Sequence, residues 1–447
     1  MVVTLSPTGT ATSVTDRAGV RRLLLGTHGL GRLLASRFAA QWGDGVFQAG
    51  LGGAVLFNPE RQAAPMAIAA GLAVLLLPYS LVGPFTGALL DRWDRRRILM
   101  VANLLRGVPI VAVALAVGVG VAGAPLYLGA LLVTGLSRFV LVGMSAGLPH
   151  VAPPHQLVQA NALAATVGAA VTALGGMCAI GLRGLIGPGN TASAGVTAVA
   201  VLGSLVAAAI AAGLPRGALG PDRLGAGEPG RPAAGTIHAV ASGLRDGLAA
   251  AARVPSVAAG LLALLVHRLS LGIATLVALL LYRNFFTPHG LFRAGLAGVC
   301  ELLAAGAAGL LLAAVLTPAL VARFGRRRTV HGALLTAGSA LATLGPPMIM
   351  PTLLLAAFVL ATAGQVVKLS LDATVQADVV DSARGRVFAL YDTLFNVGYV
   401  LAVALAATVV PPTGRAPDLL LLAATAYFLA IPLHALIASP RSAGSAG

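Results

Sequence analysis

Residues 36–50, "SRFAAQWGDGVFQAG", carry Arg37, Gln41, Asp44 and Gln48 inside an otherwise apolar run. The spacing i, i+4, i+7, i+11 puts all four on one face of a helix. An Asp or Arg at mid-bilayer costs about 2.5–3.5 kcal/mol on insertion scales. A helix does not carry that cost toward lipid, so such groups turn to a partner or to a watery cavity. The stripe therefore reads as one wall of a water-accessible cavity, with Asp44 as its protonation site. Desolvation favours a neutral carboxyl and a close arginine favours a charged one, so the balance shifts as water access changes sides. A static ion pair holding helices together is the competing reading.

Other apolar runs carry ionisable groups too: Arg106, Arg138, His267, Arg268, Glu301, Lys368, Asp372 and Asp392. Lys368 and Asp372 are four residues apart, the spacing of a local ion pair on a helix. Asp392, Asn396 and Tyr399 share a helical face. Glu301 has Ala70 at its matched first-half position and is a second protonation candidate. His267 reads as a packing histidine. Arg106 either partners a buried acid or snorkels toward the inner face. There is no Gly-Lys-Ser/Thr phosphate loop and no nucleophile–base spacing above background, so neither enzymatic activity nor a cofactor is expected. Cys178 and Cys300 lie in separate apolar runs, which argues against a disulfide or a metal site.

The elements that must hold these residues follow from composition. The chain of 447 residues is 57% hydrophobic and 10% charged, with a mean hydropathy of +0.90. Soluble domains average about 25% charged residues. Spans of about 20 apolar residues can be placed at roughly 31–57, 66–90, 97–119, 124–148, 158–182, 192–214, 256–282, 294–321, 329–350, 352–375, 386–410 and 418–438. The composition, rich in Ala, Gly and Arg, suggests a bacterial source. The formal charge of +16 is dispersed in short clusters between spans and does not form a nucleic-acid footprint. With both termini inside, 20 arginines fall in cytoplasmic segments and five outside, at Arg61, Arg183, Arg283, Arg293 and Arg415. This bias fits the positive-inside rule. The expected location is the bacterial inner membrane, as a multi-pass monomer.

The expected domain plan is a cytoplasmic tail over 1–30, a six-helix bundle over 31–214, a linker over 215–255, a second six-helix bundle over 256–438 and a tail over 439–447. The N-terminus lacks the early charged region and cleavage site of a signal peptide. Residues 215–235 are rich in Pro and Gly. The stretch that follows places Ile237, Val240, Leu244 and Leu248 on one face, as in a helix lying on the inner leaflet; a flexible linker is the alternative.

The two halves repeat. "GALLDRWDRRRIL" at 87–99 aligns with "PALVARFGRRRTV" at 318–330 at an offset of 231 residues. Arg37 maps on Arg268 at the same offset, and Arg138 on Lys368 at 230. Such duplication is expected of a transporter with parallel repeats about an axis along the membrane normal.

The first of these stretches resembles the G-x-L-a-D-r-x-G-r-r loop motif of the major facilitator superfamily, through Gly87, Leu89, Asp91, Arg92, Arg95 and Arg96. Asp94 stands where that motif has glycine, and Ala322 replaces the motif aspartate in the second copy. "WGDG" in span one and "RGRVFALYDTLFN" at 385–396 resemble the bacterial efflux branch that includes enterobactin and macrolide exporters. The resemblance implies an all-α membrane fold of twelve helices in two bundles. It also implies a latch between the bundles through Gly87, Asp91, Arg92, Arg95 and Arg96, with a topology anchor as the alternative. In the superfamily spans one and four line the cavity, so Asp44 is expected to pair with Arg138. The implied function is proton-coupled export of a hydrophobic or amphipathic compound by alternating access. An importer, a lipid translocator or a non-transporting sensor are the rivals. Span five keeps Gly168, Gly175 and Gly176 but lacks the proline of drug–proton antiporters; small residues there serve close helix packing.

Overall fold

A computed structural model describes residues 28–56, 65–81, 94–152, 157–220 and 233–439. The helices are α1 (His28–Leu56), α2 (Pro65–Leu81), α3 (Arg95–Gly118), α4 (Ala124–Val151), α5 (Leu157–Ile186), α6 (Asn190–Ala212), α7 (Ala233–Ala252), α8 (Pro255–Asn284), α9 (Gly295–Leu344), α10 (Met350–Asp378), α11 (Asp381–Ala407) and α12 (Pro417–Ile437). No strand occurs among the described residues. Nine of these helices are long and apolar enough to cross a membrane.

The expected spans eight and nine are the two helices that make up the stretch labelled α9, one on each side of a kink. The stretch is interrupted at Gly325, where φ is 75° and ψ 159°. Glycine reaches that conformation without a Cβ clash, so the two spans join with no intervening coil.

The linker helix, α7, packs on α11 and α8. Leu244 packs against the core of the second half, while Leu248 is 57% exposed. The side chains of Ile237 and Val240, the rest of the apolar face read from the sequence, lie outside the described residues. Gly247 lies against the Arg386 carbonyl, and Asp246 pairs with Arg386 at 3.4 Å.

The protein is built as two bundles. In the first, α1 packs on α5 and α6, and α3 on α4 and α6; in the second, α8 packs on α10, α11 and α12, and α9 on α10 and α12. Burying apolar surface does not drive helices together in lipid, so close backbone approach must. The sequence supplies it with glycine: Gly43 meets Gly203, Gly45 meets the Thr172 carbonyl, and Gly175 meets the Trp42 carbonyl. The halves meet through α2, which packs on α11 and α8. Ile68 and Ala69 join one apolar cluster with Leu280, Leu281, Ala406 and Ala407. These residues lie at the end of the bundles opposite the arginine-rich connections.

The arginine-rich stretches make matching contacts in the two halves. Arg95 Nη1 donates to Ala146 O in the last turns of α4 at 3.1 Å, and Arg326 pairs with Asp378 at the end of α10 at 3.6 Å. Arg96 Nη2 donates to Ala212 O at the end of α6 at 2.6 Å, and Arg327 Nη2 to Ala435 O near the end of α12 at 3.0 Å. Cations at helix C-termini satisfy orphan carbonyls and complement the dipole. Asp94, the departure from the motif glycine, caps α3 by accepting from the Arg96 amide at 3.1 Å. Gly87, Asp91 and Arg92, the rest of the expected latch, lie outside the described residues.

Candidate functional site: an intramembrane charge network

Asp44 sits midway along α1, and its direct partner is Arg106 of α3: Nη1 donates to Oδ1 at 2.9 Å. The expected pairing with Arg138 is therefore replaced by a pair between the first and third spans. The reason is geometric. α1 and α3 both pack on α6, and the glycine contact of α1 with α6 brings Asp44 toward the α3 side. Arg106 is 1% exposed. Its Nε donates to Ser204 Oγ at 2.9 Å, Nη1 also to Ser137 Oγ at 3.2 Å, and Nη2 to Ala40 O at 3.3 Å. One guanidinium thus joins α1, α3, α4 and α6 and keeps three neutral acceptors beside the carboxylate.

Arg138 is close by without being the ion-pair partner. Asp44, Phe47, Gln48, Thr134, Ser137, Arg138 and Leu141 line a cavity of about 20 Å³ between α1 and α4. That is enough for one water molecule, with polar partners to hold it. Arg37 and Gln41 continue the stripe: Arg37 Nε donates to Gln41 Oε1 at 3.3 Å and Nη1 to Ser145 Oγ at 3.4 Å. Of the four residues of the stripe, Asp44 and Gln48 line this cavity, and the Gln41 side chain lies against Gly168 of α5.

The second half has its own charges. Arg138 lies within electrostatic reach of Arg37 and of Asp392 in α11, and Asp392 within reach of Lys368 and Asp372 in α10. Lys368 Nζ pairs with Asp372 Oδ2 at 2.9 Å, the local pair that the spacing predicts. Asn396 donates Nδ2 to the Asp392 carbonyl of its own helix at 2.9 Å. Arg268 of α8 donates Nε to Phe395 O at 2.9 Å, and its guanidinium lies 3.7 Å from the Phe395 ring centre and 4.7 Å from that of Tyr399. Such stacking offsets part of the cost of a buried cation. His267 is hydrogen-bonded to the Tyr427 hydroxyl at 2.7 Å beneath Gly364. It is buried in the second bundle, in keeping with a packing role.

Glu301 is not brought to this network. It accepts the Arg293 amide at 3.3 Å near the start of α9, at the arginine-poor end. Sequence reasoning left Arg106 between partnering a buried acid and snorkelling, and did not select Ser137 and Ser204 as its supports. A serine in an Ala-rich span carries no pattern that marks it. The aromatic tier under Arg268 was likewise not read from the sequence, although Phe395 and Tyr399 are four apart on one helix.

No family model matches the chain. It is 42% identical over 410 residues, 91% of this chain and 90% of the relative, to an uncharacterized MFS-type transporter of Mycobacterium bovis. A protein of the same description in Mycobacterium tuberculosis matches equally. Among solved structures, the nucleoside transporter NupG superposes with a TM-score of 0.67 at 12% identity, covering 92% of this chain and 99% of that one. The POT family transporter PepTSo gives 0.64 at 13% identity, covering 92% and 98%. These likenesses concern the fold.

Proposed function

The chain belongs to the MFS-type transporters of the major facilitator superfamily, and from that premise we propose that it exports a hydrophobic or amphipathic small molecule in exchange for protons. Export runs by alternating access across the bacterial inner membrane, with both termini and the arginine-rich connections in the cytoplasm. The observation that carries this reading is the Asp44–Arg106 pair at 2.9 Å beside a water-sized polar cavity. A proton carrier must be charged in one phase and neutral in another without unfolding its surroundings. Arg106 retains Ser204, Ser137 and the Ala40 carbonyl as acceptors when Asp44 takes a proton. The Asp44 carboxylate, at 19% exposed, borders the cavity from which the proton would come.

In this reading the packing of α2 on α8 and α11 closes the outer side, and the halves rock about a site between them. The spans, rich in Ala, Leu, Val and Gly with few aromatics, suit a lipophilic body better than a sugar, which needs many hydrogen-bonding groups. The test is a screen for compounds that protect the purified protein from thermal unfolding, followed by proton release on binding and transport in proteoliposomes. Release that disappears in Asp44→Asn, with export against an imposed pH gradient, is the expected result. Movement of compound and proton in the same direction makes it an importer, and binding without movement makes it a sensor.

A further inference from the structure

We propose that the transported molecule is an amphipathic anion, with a carboxylate or phosphate group on an apolar body. This rests on the cavity being the substrate path, and it concerns the charge of what enters. Five basic residues lie within the spans, Arg37, Arg106, Arg138, Arg268 and Lys368, against four acids, Asp44, Glu301, Asp372 and Asp392. The remaining acids of the sequence lie in connections, in tails or at span ends. The excess of positive charge is therefore a property of the chain itself.

The structure shows where that excess sits. Asp44 is taken by Arg106 and Asp372 by Lys368, each at 2.9 Å. Asp392 faces Arg138 electrostatically. Arg37 and Arg268 have neutral partners: Gln41 and Ser145 for the first, the Phe395 carbonyl and two aromatic rings for the second. These two arginines occupy matching positions of the two halves. Positive charge left without an acid inside a membrane span is costly unless a counter-ion visits it, and charge of one sign concentrates ligands of the other. Arg37 and Arg138 also stand within electrostatic reach of each other in the first half. Arginine forks match carboxylate and phosphate oxygens in pairs of hydrogen bonds.

The test titrates the purified full-length protein in a neutral detergent with four probes and reads thermal stability. The probes are decyl phosphate, decanoate, decanol and decyltrimethylammonium. Expected is protection by the two anions, with apparent affinity weaker by about tenfold or more in Arg37→Gln, the loss of a charge-assisted hydrogen bond. Arg37→Lys keeps the charge without the fork and falls between. Arg268→Gln serves as the second variant should Arg37→Gln not fold. Lysophosphatidylglycerol in place of decyl phosphate separates a membrane lipid from a soluble organic anion, and protection by either supports the proposal. Equal shifts with all four probes, no shift with any, stronger protection by the cation, or anion protection indifferent to both arginines overturns it. A cation that protects and is then exported leaves the transport reading standing while the anion reading falls.

Discussion

Replacing Asp44 by asparagine and by leucine separates a proton carrier from a structural ion pair. Asparagine imitates the protonated acid: it keeps an oxygen at the position that accepts from Arg106 and loses only the charge. Arg106 then holds four neutral acceptors in place of three neutral and one charged. The loss is the difference between a charge-assisted and a neutral hydrogen bond, about 1–2 kcal/mol. Leucine removes the acceptor and puts an apolar branch against a guanidinium that is 1% exposed. Removing one partner of a buried pair costs about 3–5 kcal/mol. The expected order of apparent stability is therefore wild type, then Asp44→Asn slightly below, then Asp44→Leu far below. Unfolding of the purified variants by heat or by a graded denaturing detergent reads the order, and proton release on ligand binding is followed in Asp44→Asn alongside. If asparagine proves as costly as leucine, Arg106 cannot tolerate a neutral Asp44. The carboxylate would then be a fixed structural charge, and its role as carrier would fall. Retained proton release in a folded Asp44→Asn protein would remove that role just as directly.

Two further outcomes concern how the bundles are held. Gly45→Ala places a Cβ on the Thr172 carbonyl where α1 crosses α5. It should lower stability by about 1–3 kcal/mol, the usual cost of overpacking, in the same thermal assay. Gly325→Ala forces an alanine to a φ of 75° in the joint between the two spans of α9, at a cost of about 1–3 kcal/mol. Gly332→Ala, in the same element with nothing within 4 Å of the added carbon, should be neutral or raise stability by about 0.5–1 kcal/mol.

The fold was legible because bilayer thickness and arginine bias act on every span at once, and because the duplication repeats at a fixed offset. Asp44 and the Lys368–Asp372 pair were legible for the same physical reason: a charge in an apolar run has to be accounted for. What stayed hidden depends on which helices touch. Arg106 and Arg138 are equally conspicuous in the sequence, and only the packing of α1 and α3 on α6 decides which of them meets Asp44. Asp94 looked like a defect in a motif, yet it caps α3 where the matched residue, Gly325, uses its freedom at positive φ. Two residues of different chemistry start the corresponding helices by different means, and a pattern match cannot register that equivalence.

The duplication also separates the framework from the site. Arg95 and Arg96 tie α3 to the ends of α4 and α6, and Arg326 and Arg327 make the corresponding ties to α10 and α12. These contacts persist because both bundles need the same helix ends closed. The acids have not persisted. At the offset of 231 residues the positions of Asp44 and Arg106 hold Thr275 and Ala337, and at 230 the position of Asp372 corresponds to Val142. Among the described residues each half holds an acid–base pair within its spans, but in a different place: between two helices in the first half, within a single helix in the second. An interhelical pair changes its surroundings whenever its helices shift, whereas an i, i+4 pair moves as a unit with its own helix. That difference makes Asp44 an acid whose environment is tied to packing between helices, and leaves Lys368–Asp372 as a charge pair carried along by α10.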